Sequence, residues 1–296
     1  MNLNGVFAPV PTPFDSHDRL DSAGLKTAFA QWIKGPLTGF VVLGSYGEAA
    51  LMDEDESDRA IAIARDVVPR GRPLVAGTGR ESTQATIAAT KRAAGLGADA
   101  VLVRTPGFFK SQMTHDVFVR HYTAVADASP VPILLYNFTA VTGVNLLPAA
   151  VSRLATHPNI IGMKESGGDV AQIADLVSGT PNEFQVLAGS SSTFYAALAV
   201  GASGGILALA NIVPDACVRL LDLFRRGRHD EARDLQRQIV PLSKLLGQAY
   251  GIAGLKAALK LIGCDVGVPR PPLVPLPDEG VAALKDAIEA FQEVAV

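Results

Sequence analysis

Eight short apolar runs, each bounded by Gly, Pro or Asn, recur along the first two thirds of the chain. They lie at 6–10, 39–44, 73–77, 100–103, 131–136, 160–163, 184–188 and 205–209. Most are continuously apolar, as strands are when a parallel sheet is covered on both faces. Between them the spacing turns helical. Ser22 reads as the cap of a helix through Trp32 and Ile33. Asp53-Glu54-Asp55-Glu56 reads as an acidic helix start ahead of Ile61, Ala64 and Val67. Ser82 is placed to cap 84–94, and Thr114 to begin an amphipathic stretch through Phe118 and Tyr122. Shorter helices are predicted at 148–155, 170–177 and 193–200. This alternation predicts an α/β fold, a (β/α)8 TIM barrel. An open doubly wound sheet would carry a glycine-rich phosphate turn after an early strand. Gly77-Thr78-Gly79 lacks the remaining glycine of that fingerprint.

After Asn211 the strand signals stop, and helical patterns follow at 214–224, 229–246, 254–261 and 278–293. The proline-rich segment 269–277 reads as a stiff surface connection. The expected division is a barrel over 1–224 and a C-terminal helical extension over 225–296.

With 296 residues, 48% of them hydrophobic and 19% charged, the chain can bury a sizeable core and does not have the composition of a disordered protein. Net charge is −3 with both signs interspersed, which gives no footprint for nucleic acid or an anionic membrane. No apolar run is as long as a membrane span. The opening MNLNGVFAPV has neither the basic start nor the apolar stretch of a secretory signal. Cys217 and Cys264 form neither a CxxC pair nor a disulfide framework, which fits a reducing, cytoplasmic setting. His17, His115, His121, His157 and His229 are scattered without metal-ligand spacing, and His121 reads as a core or surface histidine on a helix.

Barrel chemistry is done at the carboxyl ends of the strands. The sixth run leads directly into Lys164, with Ser166 two residues on. An amine buried at the end of an apolar strand is disfavoured as ammonium, and the neutral amine is a nucleophile that condenses with ketones. The alternative is a strand-end lysine that snorkels to solvent. The second run ends in Gly44-Ser45-Tyr46-Gly47-Glu48. Glycines around a hydroxyl residue let backbone N–H groups converge on an anion, or simply make a tight turn with Glu48 near a helix start. The fifth ends in Tyr136-Asn137, where a hydroxyl could carry protons with Ser45 as relay, or pack against the core. Gly189-Ser190-Ser191 and Ala210-Asn211 close the seventh and eighth. Gly189 allows close approach of a ligand or serves the turn.

GSYGE after strand two, YN after strand five and GMKES at strand six together resemble the N-acetylneuraminate lyase/dihydrodipicolinate synthase family of class I pyruvate-dependent aldolases and synthases. The similarity runs from FAPVPTPF near the start to GIAGLK at 251–256. It includes AGTGRESTQATI at 76–87, HYTAVADASPVPILLY at 121–136, HPNIIGMKESGGDV at 157–170 and FQVLAGS at 184–190. Within the family these passages are most similar to the 4-hydroxy-2-oxoglutarate aldolases.

The resemblance implies Lys164 as the Schiff-base lysine, Tyr136 as the proton-transfer tyrosine and Ser45 as the relay hydroxyl. It implies the Ser45 and Tyr46 amides as binders of the pyruvoyl carboxylate, Gly189 and Ile206 as pocket lining, and Ser166 facing the substrate's distal half. It implies no metal and no organic cofactor, a small 2-oxo acid as the partner, and a homotetramer built as a dimer of dimers.

Three positions depart from the synthases of the family. Where they usually hold a carboxylate with arginine, five residues after the tyrosine, this chain has Val141, which can make no bidentate contact. Their TPYY segment is here Thr105-Pro106-Gly107-Phe108-Phe109, without a hydroxyl; at Phe109 the 4-hydroxy-2-oxoglutarate enzymes also tend to carry one. Tyr46 replaces a smaller Thr or Asn and either narrows the pocket or supplies a hydroxyl of its own. The expectation is an aldolase cleaving 4-hydroxy-2-oxoglutarate to pyruvate and glyoxylate. The alternatives are a 4-hydroxy-tetrahydrodipicolinate synthase, a 2-keto-3-deoxy sugar acid aldolase or dehydratase, and a barrel that only binds an oxo acid.

Overall fold

Each of the eight apolar runs contributes a parallel strand, and the strands close in chain order, the last pairing with the first. The computed structural model describes residues 1–295. The strands are β1 (Val6–Pro9), β2 (Gly39–Val42), β3 (Leu74–Gly77) and β4 (Ala100–Arg104), then β5 (Ile133–Asn137), β6 (Ile160–Glu165), β7 (Gln185–Ala188) and β8 (Gly204–Ile206). Continuous apolar character has its cause in two-sided burial. Leu3, Phe7, Val41, Val75, Leu102, Leu134 and Leu187 fill the barrel interior. The alternate positions, such as Val6, Phe40, Leu74, Val101 and Leu135, face the helices in a larger outer core.

The helical layer is α1 (Ser22–Trp32), α2 (Glu54–Val67), α3 (Thr83–Gly95), α4 (His115–Ala128), α5 (Thr139–Thr142), α6 (Pro148–Leu154), α7 (Val170–Ser178), α8 (Phe194–Ala199) and α9 (Pro214–Arg225). Ser82 and Thr114 cap α3 and α4 as expected, and Asp53 forms a capping box with Glu56 at α2. The first cap differs. Asp21, in extended conformation, accepts from the Gly24 N–H, which makes Ser22 the first helical residue. The single turn α5 is too short to leave a period in the sequence. The eighth strand ends at Ile206, and Ala208–Asn211 winds into a 3-10 turn.

Beyond the barrel run α10 (His229–Lys244), α11 (Gly251–Leu261) and α12 (Asp278–Ala295), with α12 packed on α10 and α11. The helix expected to end at 246 passes instead into a π-helical turn, Leu245–Ala249.

One irregularity governs the centre of the sheet. Ile133 pairs with Ile160, but Leu134 pairs with Gly162, so β6 holds one extra residue at this point. Ile160 and Met163 both lie in the outer core, and Ile161 packs on the inner one. Beyond the bulge Leu135 pairs with Met163 and Tyr136 with Lys164.

Candidate active site

At the carboxyl rim the side chains of Tyr136 and Lys164 meet. Tyr136 is 4% exposed and Lys164 3%. The Lys164 Nζ lies 3.4 Å from the Tyr136 hydroxyl and 4.5 Å from its ring centroid. On its other side the Tyr136 hydroxyl is 3.2 Å from the Ser45 Oγ. The ring is fixed by the inner core and stacks on Phe138 at 6.0 Å. The lysine therefore does not snorkel. Its amine is inside the barrel mouth, with the Tyr136 hydroxyl as its hydrogen-bond partner among the described residues.

Ser45 is carried by a strained turn. Leu43 and Glu48, both with side chains, have φ of 56° and 54°, in the left-handed region. Gly77 on β3 makes room for it, since a Cβ there would lie 1.8 Å from the Leu43 carbonyl oxygen. The Gly47 N–H donates to the Gly44 carbonyl and the Glu48 N–H to that of Ser45. The Ser45 and Tyr46 N–H groups donate to no protein acceptor among the described residues, as an anion nest requires.

Tyr46 does not offer its hydroxyl to the mouth. It donates 2.9 Å to the Leu246 carbonyl in the π-helical turn, and burial, with Tyr136 nearby, pushes its pKa up to about 12. Gly189 and Ser166 interlock. A Cβ on Gly189 would stand 1.9 Å from the Ser166 Oγ, so the glycine accommodates a neighbouring side chain. That Oγ is buried and has no hydrogen-bond partner among the described residues. Ile206 is 1% exposed and shares the inner core with Tyr136 and Leu187.

Two networks near the site escaped the sequence reading. Behind the lysine, the Glu165 carboxylate points to the helix side. It accepts from Asn137 Nδ2 (2.8 Å), Gln172 Nε2 (2.9 Å) and the Gly167 N–H. Burial raises its pKa against the opposing pull of those donors. Asn145 completes this group through Asn137 and Gln172. Beneath the strained turn, Glu48 and Lys256 form an ion pair at 2.7 Å with side chains 0% and 1% exposed. A lone lysine within the apolar GIAGLKAAL stretch was the available signal for it.

The distal rim is apolar and open. Val141 is 61% exposed, Phe108 77% and Phe109 67%. The two phenylalanines meet edge to face at 5.1 Å. Glu81 holds their loop by accepting from the Gly107 and Phe108 N–H groups, and it ion-pairs with Arg104 at 2.7 Å.

Residues 2–291 match the model of the Dihydrodipicolinate synthetase family. The chain is 37% identical over 292 residues to the 4-hydroxy-tetrahydrodipicolinate synthase of an Exiguobacterium species, covering 99% of each. It is 36% identical over 294 residues to the probable mitochondrial 4-hydroxy-2-oxoglutarate aldolase of Emericella nidulans, covering 98% of this chain and 94% of that one. The dihydrodipicolinate synthase of Acinetobacter baumannii, solved in complex with pyruvate, superposes with a TM-score of 0.93 at 30% identity, covering 98% of this chain and 99% of that one. Synthase and aldolase relatives thus stand at nearly the same distance.

Proposed function

Given that the chain belongs to the dihydrodipicolinate synthetase family and is a carbon–carbon lyase or synthase of the class I aldolase type, we propose that it cleaves 4-hydroxy-2-oxoglutarate to pyruvate and glyoxylate. The observation that carries the reading is the chain of contacts Ser45–Tyr136–Lys164 at the barrel mouth.

In this reading the Lys164 amine attacks the C2 ketone, and loss of water gives an iminium ion that serves as an electron sink. The C4 hydroxyl gives up its proton towards Tyr136, the C3–C4 bond breaks, and its electron pair enters the iminium to leave an enamine. Glyoxylate departs as the aldehyde. Protonation of the enamine at C3 and addition of water release pyruvate and the free amine, so the water lost in forming the imine is regained. Ser45 relays the protons that Tyr136 handles. The Ser45 and Tyr46 amides receive the C1 carboxylate, Gly189 and Ile206 bound the pyruvyl end, and the unpartnered Ser166 hydroxyl faces the distal half.

A second reading, condensation of pyruvate with aspartate semialdehyde, has the synthase-named relative at 37% identity in its favour. Against it stands Val141, which offers no donor, and Arg104, which is already committed to Glu81. Pyruvate release from 4-hydroxy-2-oxoglutarate and condensation with aspartate semialdehyde, measured side by side, test the choice.

The protein is read as a homotetramer in a reducing cytoplasm. The exposed Phe108–Phe109 pair is apolar surface for a neighbouring subunit to cover, and Cys217 and Cys264 are free. The division into a barrel over 1–224 and an extension over 225–296 is kept, with the extension supplying contacts to the site. Among the described residues no helix is long and apolar enough to cross a membrane.

A further inference from the structure

The turn that aims the Ser45 and Tyr46 amides is held from below, by the C-terminal segment and the loop after β1. Three of its residues are tied. The Tyr46 hydroxyl reaches the Leu246 carbonyl at 2.9 Å. The Gly47 carbonyl accepts from the Thr12 hydroxyl at 2.7 Å. Glu48, in its left-handed conformation, places one carboxylate oxygen 2.7 Å from the Lys256 Nζ and accepts at the other from the Arg270 N–H at 2.8 Å.

Lys256 is fully engaged. Besides Glu48 it donates to the Thr12 carbonyl at 2.7 Å and the Val268 carbonyl at 2.9 Å, and it lies over the Phe14 ring. One ammonium therefore joins the loop after β1, the turn after β2, helix α11 and the connection leading to α12. Arg270 locks that connection to the barrel by pairing with Glu56 in the first turn of α2.

Such a pair costs desolvation that an apolar pair would not, so stability alone is a weak reason to keep it. What it does supply is fixed geometry: two charges without access to water, meeting at one orientation, clamp a turn whose backbone would otherwise relax.

We propose that Glu48 and Lys256 are positioning residues of the oxo-acid site, through which the C-terminal extension sets the aim of the Ser45 and Tyr46 amides at the substrate carboxylate. The Tyr46–Leu246 hydrogen bond is the second tie of the same clamp. This rests on the reading above that those amides receive the carboxylate, and it makes the C-terminal helices part of the site without any of their side chains touching substrate.

The test compares two ketones, pyruvate and methyl pyruvate, which differ in whether the carboxylate is free or masked. Each is trapped on the full-length protein with borohydride over a concentration series, and the adduct is quantified at Lys164 by peptide mass. Thermal melting checks that each variant is folded. In Lys256→Met the pyruvate concentration for half-maximal trapping should rise about tenfold, and in Tyr46→Phe about threefold, while that for methyl pyruvate moves less than about twofold. In turnover the same variants should raise KM by similar factors with kcat nearly unchanged, the pattern of lost ground-state binding. Equal shifts for both ketones, or no shift in a folded variant, would overturn the positioning role. If Lys256→Met does not fold, Tyr46→Phe decides, since it deletes one hydroxyl and keeps the ring. A wild-type protein that traps neither ketone at Lys164 would instead overturn the Schiff-base reading, and this proposal with it.

Discussion

Tyr136 and Lys164 are register partners across the β5–β6 ladder, and their polar ends stand 3.4 Å apart inside the barrel mouth. The contact is built by backbone pairing, so neither side chain depends on a mobile loop for its position. A proton carrier and an amine held this way remain adjacent through every step that a ketone would undergo on the lysine.

The first prediction concerns covalency. Incubation with pyruvate and borohydride should label Lys164, and Lys164→Met should abolish the adduct. Lys256 is also buried, but it is saturated by Glu48 and two carbonyls and should remain unlabelled. An adduct on Lys256 in the wild-type protein would contradict the assignment.

Tyr136→Phe retains the ring in the inner core and removes the hydroxyl between Ser45 and Lys164. Stability should change little, and turnover should fall by roughly two to four decades. Near-normal turnover would reduce Tyr136 to a packing residue.

The choice of second substrate turns on the rim. With Val141 exposed and Arg104 bound to Glu81, kcat/KM for condensation with aspartate semialdehyde should lie well below that for cleavage of 4-hydroxy-2-oxoglutarate. Introducing the missing donor as Val141→Arg should raise the condensation relative to cleavage, by about tenfold for a partly desolvated guanidinium–carboxylate contact. If condensation is already the faster reaction in the wild type, the substrate assignment is wrong.

Gly189→Ala should be destabilising by about 1–3 kcal/mol, because its Cβ would overlap the Ser166 side chain. Adding Ser166→Gly should recover part of that loss, and a double-mutant cycle by denaturant unfolding measures the coupling. Strict additivity would show that the two residues do not share the space the structure gives them.

His121 provides a pH dependence. Burial, with the Arg104 guanidinium adding to it, holds its imidazole down at about 4 from an ordinary 6.5. The folded state thus resists a proton that the unfolded chain accepts. Its stabilising contribution is complete above about 6.5 and is lost as pH falls towards about 4, with an upper limit of about 3 kcal/mol. His121→Gln should flatten that part of the acid limb in denaturant unfolding at pH 7, 5.5 and 4.5. Parallel curves for the two proteins would show that the ring titrates freely in the fold.

The barrel was legible because two-sided burial leaves continuous apolar strands. Lys164, Tyr136 and Ser45 stood out as candidates by their places at the ends of such strands, while their roles came from the family resemblance. Other features depended on distance in the sequence. Glu48 and Lys256 lie 208 positions apart by number and only the closed fold brings them together. Tyr46 could be given an open choice of roles, but its partner is a main-chain carbonyl exposed by a π-helical turn, which carries no residue signature. The Ser22 cap was misplaced by one residue since Asp21 and Ser22 are both competent, and backbone dihedrals decide between them.

The extra residue in β6 has a consequence for how such a site can change. Counting two by two from Ile160, which faces the helices, Lys164 would also face the helices and Glu165 would enter the barrel. The bulge inverts that parity. Straightening the strand with Ile161 kept would therefore exchange nucleophile for carboxylate at the mouth, whereas deleting Ile161 would remove the bulge and leave Lys164 paired with Tyr136 inside the barrel. The chemistry here is encoded as much by phase as by residue identity. A relative of the same length that kept every motif residue, but paired this strand without the bulge, would keep the signature and lose the amine.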